Sequence, residues 1–339
     1  MIKTLTNDEY SRWDDFVMAQ NEATFFHQTG WQQVIRKAFG HDTYYIYVEN
    51  NGLITGILPL VHIKSLFFGN SLVSIAPCVY GGIVAIDEES YIALDQEACR
   101  LATMLKVDYL EMRNQVQKTP KRPYKELYVS FSKELDTDVE KNFLAIPRKQ
   151  RAMVRKGIEA GLNSVIDTKV DRLYQAYSES VRNLGTPVFS KKYFQTLKDV
   201  FKDQCEILTV LHNGYLVASV MNFYFKDQVI PYYGGGTDLA RNLKGNDFMY
   251  WEVMRRAVEK GYKIFDYGRS KIGTGSYSFK KNWGFIPKPI FYEYYLVSAK
   301  TMPDINPLNP KYRYFIAAWK HLPLAISQWV GPWLSKDLS

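Results

Sequence analysis

The densest chemistry in the sequence lies in FDYGRSKIGTGSYSFKKNWGFIPKP, residues 265–289, where Arg269, Lys271, Lys280 and Lys281 stand among Gly268, Gly273, Gly275 and Gly284. Glycines let a backbone approach a ligand closely, and cations beside them stabilise an anion or a developing negative charge. Arg269 ends a strand-like run, and its planar fork suits a phosphate or carboxylate. Asp266, in the same run, serves either as a proton acceptor or as a structural partner for Arg269 or the backbone. Tyr277 is ambiguous in the same way. The competing reading of the whole segment is a basic loop with solvated lysines.

Several chemistries are excluded by spacing. Gly268 and Gly273 are separated as in a phosphate-binding loop, but Thr274 and Gly275 stand where Lys and Ser/Thr are needed. Gly273-Thr274-Gly275 lacks the third glycine of a dinucleotide fingerprint, and neither G-x-S-x-G nor H-E-x-x-H occurs. The five histidines (27, 41, 62, 212, 321) are scattered, which argues against a histidine-based triad and against zinc, so no metal is expected. Cys78, Cys99 and Cys205 are odd in number and far apart, which excludes a disulfide framework and fits a reducing compartment. The N-terminus lacks the apolar core of a secretory leader, and no uninterrupted apolar run reaches the ~18 residues of a spanning helix. A cytoplasmic protein is the expectation.

The elements that must position this segment are written twice. Residues 31–61 (WQQVIRKAFGHDTYYIYVENNGLITGILPLV) align without gaps with 193–223 (YFQTLKDVFKDQCEILTVLHNGYLVASVMNF), matching Phe39 to Phe201 and Asn51-Gly52 to Asn213-Gly214. Each copy reads helix, strand, Asn-Gly turn, strand, because Asn and Gly tolerate the positive φ angles of a type I′ turn. Further on, Tyr80-Gly81-Gly82 answers Tyr233-Gly234-Gly235, each followed by a helix and a strand ending in YLEMR (109–113) or IFDYGR (264–269). The second of these helices is expected over 247–260, capped by Asn246 or Asp247 and ended by Gly261. A hairpin feeding a βαβ unit, repeated, predicts two α/β domains of one fold over 1–145 and 146–300, with a tail over 301–339.

Charge is divided unevenly between the halves. Residues 1–145 carry 14 basic and 19 acidic groups, net −5, whereas 146–339 carry 29 and 16, net +13. An anionic partner is therefore expected at the C-terminal part: tRNA, a pyrophosphate-bearing donor or an acidic lipid surface, with no DNA among them. The basic helix 147–161, with Arg148, Lys149, Arg151 and Arg155, suits tRNA phosphates or a lipid-linked sugar, or else is a solvated helix. The tail, with Tyr314, Phe315, Trp319, Leu322, Leu324, Trp329, Trp333 and Leu334 broken by Pro323 and Pro332, reads as an interfacial segment. Its two expectations are a peripheral contact of 311–335 with the inner face of the membrane, or packing on the second domain.

Taken together, the two similar halves, the basic helix RKQRAMVRKGIEAGL, the GRSK…GTGSY…FKKNWGF string and the ending LNPKYRYFIAAWKHLPLAISQWVGPWLSK resemble the FemAB family. The resemblance is closest to the subgroup associated with exosortase/PEP-CTERM and exopolysaccharide systems. It implies an α/β (α+β) chain of tandem GNAT-like, that is acyl-CoA N-acyltransferase-like, domains, with a cleft between or within them. It also implies aminoacyl transfer from charged tRNA to an amine of a cell-wall or exopolysaccharide precursor, lipid-linked in some cases.

The family's F-K-x-x-[FW]-G motif is matched by Phe279-Lys280-Lys281-Asn282-Trp283-Gly284. The resemblance makes Lys280 the group that stabilises the tetrahedral intermediate, with Arg269 as second cation and Asp266 as acceptor of the amine proton. The first half holds Arg113 but no such motif, so it is expected to lend shape and acceptor contacts. Tyr80, Trp31, Tyr233, Gly234, Gly235, Tyr277 and Trp283 are the candidates for lining the cleft, with Trp31, Tyr80 and Tyr233 equally readable as core aromatics, the reading preferred for Trp31. No tightly bound cofactor is expected. The competing donor is acyl-CoA, which GNAT folds hold at a helix N-terminus through [RQ]-x-x-G-x-[GA]. Here Arg241-Asn242-Leu243-Lys244-Gly245-Asn246-Asp247 has one residue too many before the glycine, while Arg241 and Lys244 remain available to a donor anion. A third reading is a non-catalytic membrane-surface factor of exopolysaccharide assembly.

Overall fold

The computed structural model describes residues 1–65, 68–303 and 313–337. The chain runs through β1 (Ile2–Thr4), α1 (Tyr10–Ala19), α2 (Gly30–Phe39), β2 (Asp42–Asn50), β3 (Leu53–Ser65), β4 (Gly69–Ser74), β5 (Val84–Ala85), α3 (Glu88–Met104), β6 (Tyr109–Asn114) and β7 (Tyr124–Lys125). It continues through β8 (Tyr128–Glu134), α4 (Val139–Ala145), α5 (Arg148–Glu159), β9 (Asn163–Asp167), α6 (Asp171–Leu184), α7 (Lys191–Phe201), β10 (Cys205–His212), β11 (Tyr215–Phe225) and β12 (Gln228–Gly236). The last elements are α8 (Asp238–Leu243), α9 (Gly245–Glu259), β13 (Ile264–Lys271), α10 (Gly275–Asn282), β14 (Pro287–Pro289), β15 (Phe291–Leu296), α11 (Arg313–Lys320) and α12 (Leu324–Ser335). None of the described helices is long and apolar enough to cross a membrane.

The repeated hairpins fold as their turns require. Asn51 and Gly52 have φ of 50° and 79°, and Asn213 and Gly214 have 51° and 82°, the paired positive angles of a type I′ turn. Both hairpins also bulge at the same aligned position, between Val48 and Glu49 and between Val210 and Leu211. The duplication therefore extends to an irregularity of the ladder.

Contacts divide the chain into two units. One comprises Met1–Tyr128, Pro289–Asn306 and Asp337–Ser339, the other Val129–Lys288 and Pro307–Lys336. This departs from segments ending at 145 and 300. β15 runs antiparallel to β6 in the first sheet, from Phe291 opposite Asn114 to Leu296 opposite Tyr109. Val129 and Phe131 of β8 belong to the second core, around Leu208, Val220, Met254 and Phe265. Two exchanges of strand between sheets leave no local mark in the sequence, because alternating apolar residues suit either partner. The tail is not a separate segment either, since α11 and α12 pack on α6. Residues 311 and 312, at the start of the expected membrane contact, lie outside the described residues.

Among the described residues the first sheet has the order β1-β2-β3-β4-β6-β15-β7, with β5 on β3, and the second β14-β8-β13-β12-β11-β10-β9. Each contains one parallel pair framing a helix, β4 with β6 and β12 with β13, and the rest of each described hairpin ladder is antiparallel. α6 and α9 cover opposite faces of the second sheet. A Cβ on Gly235 would lie 2.6 Å from Ala176 O of α6, whereas one on Gly234 would lie 3.2 Å from Tyr250 Oη of α9, as alternation along a strand demands.

Candidate active site

The parallel pair of the second unit parts almost as soon as it forms. Gln228 pairs with Ile264 and Val229 with Phe265. Beyond them β12 reaches Pro231, which has no N–H for a ladder, and β13 reaches Gly268 at φ 63°. The opening is framed by Tyr250 from α9, whose ring lies 4.8 Å from that of Tyr267 and 5.7 Å from that of Phe279. Burial pushes the Tyr250 phenol up to about 12, so it stays protonated and able to donate. Tyr250 is not among the site residues singled out from the sequence; a hydroxyl on an otherwise apolar helix face is the one signal that points to it.

Gly268 also shapes the cation site. Successive carbonyls of a regular strand point to opposite sides, but the positive φ turns the chain so that three converge. Lys280 Nζ donates to the carbonyl oxygens of Tyr267 at 2.7 Å, Gly268 at 3.3 Å and Arg269 at 3.0 Å. The ammonium also lies 5.5 Å from the centre of the Tyr267 ring and 5.6 Å from that of Phe131. Asp266 Oδ1 accepts the Gly268 N–H at 2.7 Å. Lys280 is 9% exposed and Asp266 6%. Burial lowers the Lys280 ammonium to about 7, opposed by the charge of Asp266 and helped by that of Arg269. Burial raises the Asp266 carboxyl to about 6, opposed by the Gly268 N–H and by Lys280. Burial thus brings an acid and a base of opposite type toward the same pH range, both bonded to the backbone of residues 267–269.

α10 delivers Lys280 to this position. Thr274 Oγ1 caps it by accepting the Tyr277 N–H, and Gly284 at φ 81° ends the following turn. Trp283 is fully buried in the second core and its Nε1 donates to Asp247 Oδ1 at 2.9 Å. An indole in that position holds α10 against α9 and is withdrawn from any ligand, which corrects its expected place in the cleft. Trp31 is likewise fully buried, among Phe25 and Phe26. Tyr233 is buried against Tyr177, Phe189 and Phe194, with its hydroxyl 2.8 Å from that of Tyr193. Gly235 faces α6, whereas Gly234 faces Tyr250 of α9. Tyr277 is half-buried, edge-on to Phe131.

The start of α9 lies at the C-terminal end of β12. Its cap position is Lys244, at φ 59° and without a side-chain cap, instead of Asn246 or Asp247. Lys244 Nζ bonds to Arg241 O at 3.0 Å, and Arg241 is exposed. On α5, Arg148, Lys149 and Arg155 are exposed, Arg155 lying 5.5 Å over the Phe143 ring, while Arg151 bonds to Leu144 O at 2.7 Å. Gly157 seats α5 on α9, since a Cβ there would lie 2.9 Å from Phe248 Cβ.

In the first unit the corresponding opening is filled. β4 and β6 pair from Ser71 opposite Tyr109 to Val73 opposite Glu111. Beyond, Arg113 N–H is taken by Ser74 Oγ at 2.8 Å and Arg113 O by Gly81 N–H at 3.0 Å. Tyr80-Gly81-Gly82 therefore lies in a loop that plugs the gap, whereas Tyr233-Gly234-Gly235 is part of β12, and the two triplets are not structural equivalents. Arg113 is buried and paired with Glu111 at 2.7 Å. A cavity of about 170 Å³ remains beside Tyr80, Gly82, His27 and Arg113.

Residues 147–281 match the family model of the acetyltransferase (GNAT) domain. The second unit carries a GNAT-type acyltransferase domain. The GNAT-type fold is present in tandem, as the repeated hairpins and parallel pairs require. FemX superposes with a TM-score of 0.65 at 14% identity, over 88% of this chain and 98% of that one. The C-terminal domain of a putative lysylphosphatidylglycerol synthetase from Agrobacterium fabrum gives 0.56 at 15%, over 84% and 90%. A tandem GNAT protein from the clavulanic acid biosynthesis pathway gives 0.54 at 13%, over 87% and 97%. No curated protein sequence is significantly similar to this chain.

Proposed function

We propose that the chain is a Fem-like N-acyltransferase that moves an aminoacyl or acyl group onto an amine of a cell-envelope or exopolysaccharide precursor. The observation that carries this reading is Lys280, a buried cation held by three converging carbonyls where β12 and β13 part. The amine nitrogen attacks the carbonyl carbon of an ester or thioester, the carbonyl oxygen takes the negative charge, and collapse expels the alcohol or thiol. The positive charge of Lys280, whose three N–H groups are held by the carbonyls of residues 267–269, and that of Arg269 stabilise the oxyanion, while Asp266 takes the proton that the amine sheds and passes it to the departing alcohol or thiol. A fixed charge placed against a developing oxyanion contributes about 3–4 kcal/mol to such a step. Tyr250, above Gly234, is a further donor facing the same opening. The sequence resemblance to the FemAB family supports charged tRNA as donor and an envelope or exopolysaccharide acceptor, and the fold-level likeness to FemX is in keeping with that family's fold.

A second reading takes acyl-CoA as donor. It is favoured by the uncapped start of α9 beside Arg241 and Lys244, where helix N–H groups and the helix dipole suit a pyrophosphate. Thermal stabilisation by CoA and acetyl-CoA separates the two, because a ligand at 100 times its Kd adds about 2.7 kcal/mol of stability. A shift lost in Lys244→Glu selects acyl-CoA. No shift at saturating ligand selects charged tRNA, and transfer of a labelled aminoacyl group to an amine then tests it directly.

A further inference from the structure

α12 turns its small residues inward and its large ones outward. Ser327, Gly331 and Ser335, spaced i, i+4, i+8, are buried. Ser335 Oγ donates to Val188 O at 3.0 Å, and a Cβ on Gly331 would stand 2.9 Å from Val188 N. Ile326, Trp329 and Trp333, spaced i, i+3, i+7, lie on the other face and are 44%, 74% and 71% exposed. On α11 Tyr314 and Phe315 are exposed as well, while Trp319 is buried. The sequence has seven tryptophans, and Trp13, Trp31, Trp251, Trp283 and Trp319 are all buried. A surface helix of a globular domain ordinarily shows the reverse arrangement, and an apolar face left in water marks a contact with something else.

Charge indicates the partner. From Arg313 to Lys336 there is no carboxylate, and Arg313, Lys320 and Lys336 are all exposed. Tryptophan and tyrosine prefer the headgroup level of a bilayer, and cations beside them meet anionic headgroups. We propose that α11 and α12 form a docking surface for an anionic bilayer, with Trp329 and Trp333 seated among the headgroups and Arg313, Lys320 and Lys336 against their charge. The contact is peripheral, because the 12 residues of α12 extend only ~18 Å. This surface shares no residue with the Lys280 site, so the inference stands or falls independently of the transfer chemistry.

Two exposed tryptophans make the test selective. Acrylamide quenching of the full chain reads mainly Trp329 and Trp333. Vesicles of equal parts phosphatidylglycerol and phosphatidylcholine should protect them and sediment the protein, and pure phosphatidylcholine should do so much less. Trp329→Ser/Trp333→Ser should keep its melting temperature and lose about tenfold or more in vesicle affinity, as two interfacial side chains are removed. Lys320→Glu/Lys336→Glu should lose at least about fivefold per charge on the anionic vesicles alone. Absence of vesicle binding, binding unchanged in the tryptophan double variant, or equal binding to neutral vesicles overturns the proposal. So does a dimer of the full chain that the tryptophan variant dissociates, which would assign the face to a second copy.

Discussion

Trp283 Nε1 donates to Asp247 Oδ1 at 2.9 Å, so the residue that closes α10 is tied to the first turn of α9. The helix that carries Lys280 and the helix whose start faces the opening are thereby fixed to each other within the second unit. Trp283→Phe removes the donor and leaves a partly buried carboxylate short of a partner. Its expected cost is about 1–3 kcal/mol, read from urea unfolding. An unchanged midpoint would make the bond incidental.

Lys280→Met keeps the aliphatic stem and removes the charge. If the ammonium holds the oxyanion, transfer falls by about 10²–10³. The carbonyls of residues 267–269 also lose their shared donor, so about 1–3 kcal/mol of stability goes with it. Rates are therefore compared well below the variant's melting temperature. A variant that folds and transfers at the parental rate removes Lys280 from the chemistry.

Stability should depend on pH in two opposite ways. The folded Lys280 loses its proton near pH 7, whereas the unfolded residue holds it to about its ordinary 10.5. Between those values the unfolded chain binds more protons, so this group makes stability rise with pH. Asp266 is the converse: the folded carboxyl keeps its proton to about 6 against an ordinary 3.8, so stability falls as pH climbs through that window. Melting temperatures across both windows should show the rising limb flattened in Lys280→Met and the falling limb flattened in Asp266→Asn. Parallel curves for the parent and both variants would contradict the assignments.

Gly268→Ala places a Cβ on a residue at φ 63°, at a cost of about 1–2 kcal/mol, and swings the carbonyls away from Lys280. Gly275→Ala, where a Cβ meets open space at the start of α10, should change stability by no more than about 0.5 kcal/mol. Denaturant titration of the pair separates conformational strain from simple loss of glycine. Equal effects would mean that the turn at Gly268 is not under the constraint its angle indicates.

Much of the site was legible in the residues themselves. Asn51-Gly52 and Asn213-Gly214 announced two hairpins because a type I′ turn is a local property of two residues, and Gly261 ended α9 for the same kind of reason. The cluster of glycines and cations over 265–289 drew attention to Lys280 and Asp266, which the fold brings together at Gly268. Sequence also showed that basic charge gathers in the second half and that the tail is rich in aromatics.

Other features depend on partners distant in the chain. Tyr80-Gly81-Gly82 and Tyr233-Gly234-Gly235 look alike, yet one plugs a gap and the other lines a strand, because the difference lies in whether Ser74 and Arg113 close the ladder. Trp31, Trp283, Trp329 and Trp333 are the same residue type, and only packing makes the first two core and the last two surface. β15 joins the first sheet although it follows the whole of the GNAT-type domain, since an alternating strand carries no record of which edge it will pair with. Periodicity and turn chemistry act over a few residues and are therefore readable from the chain alone. Strand partner, burial and the convergence of three carbonyls on one ammonium arise from contacts between distant segments, and only the folded chain settles them.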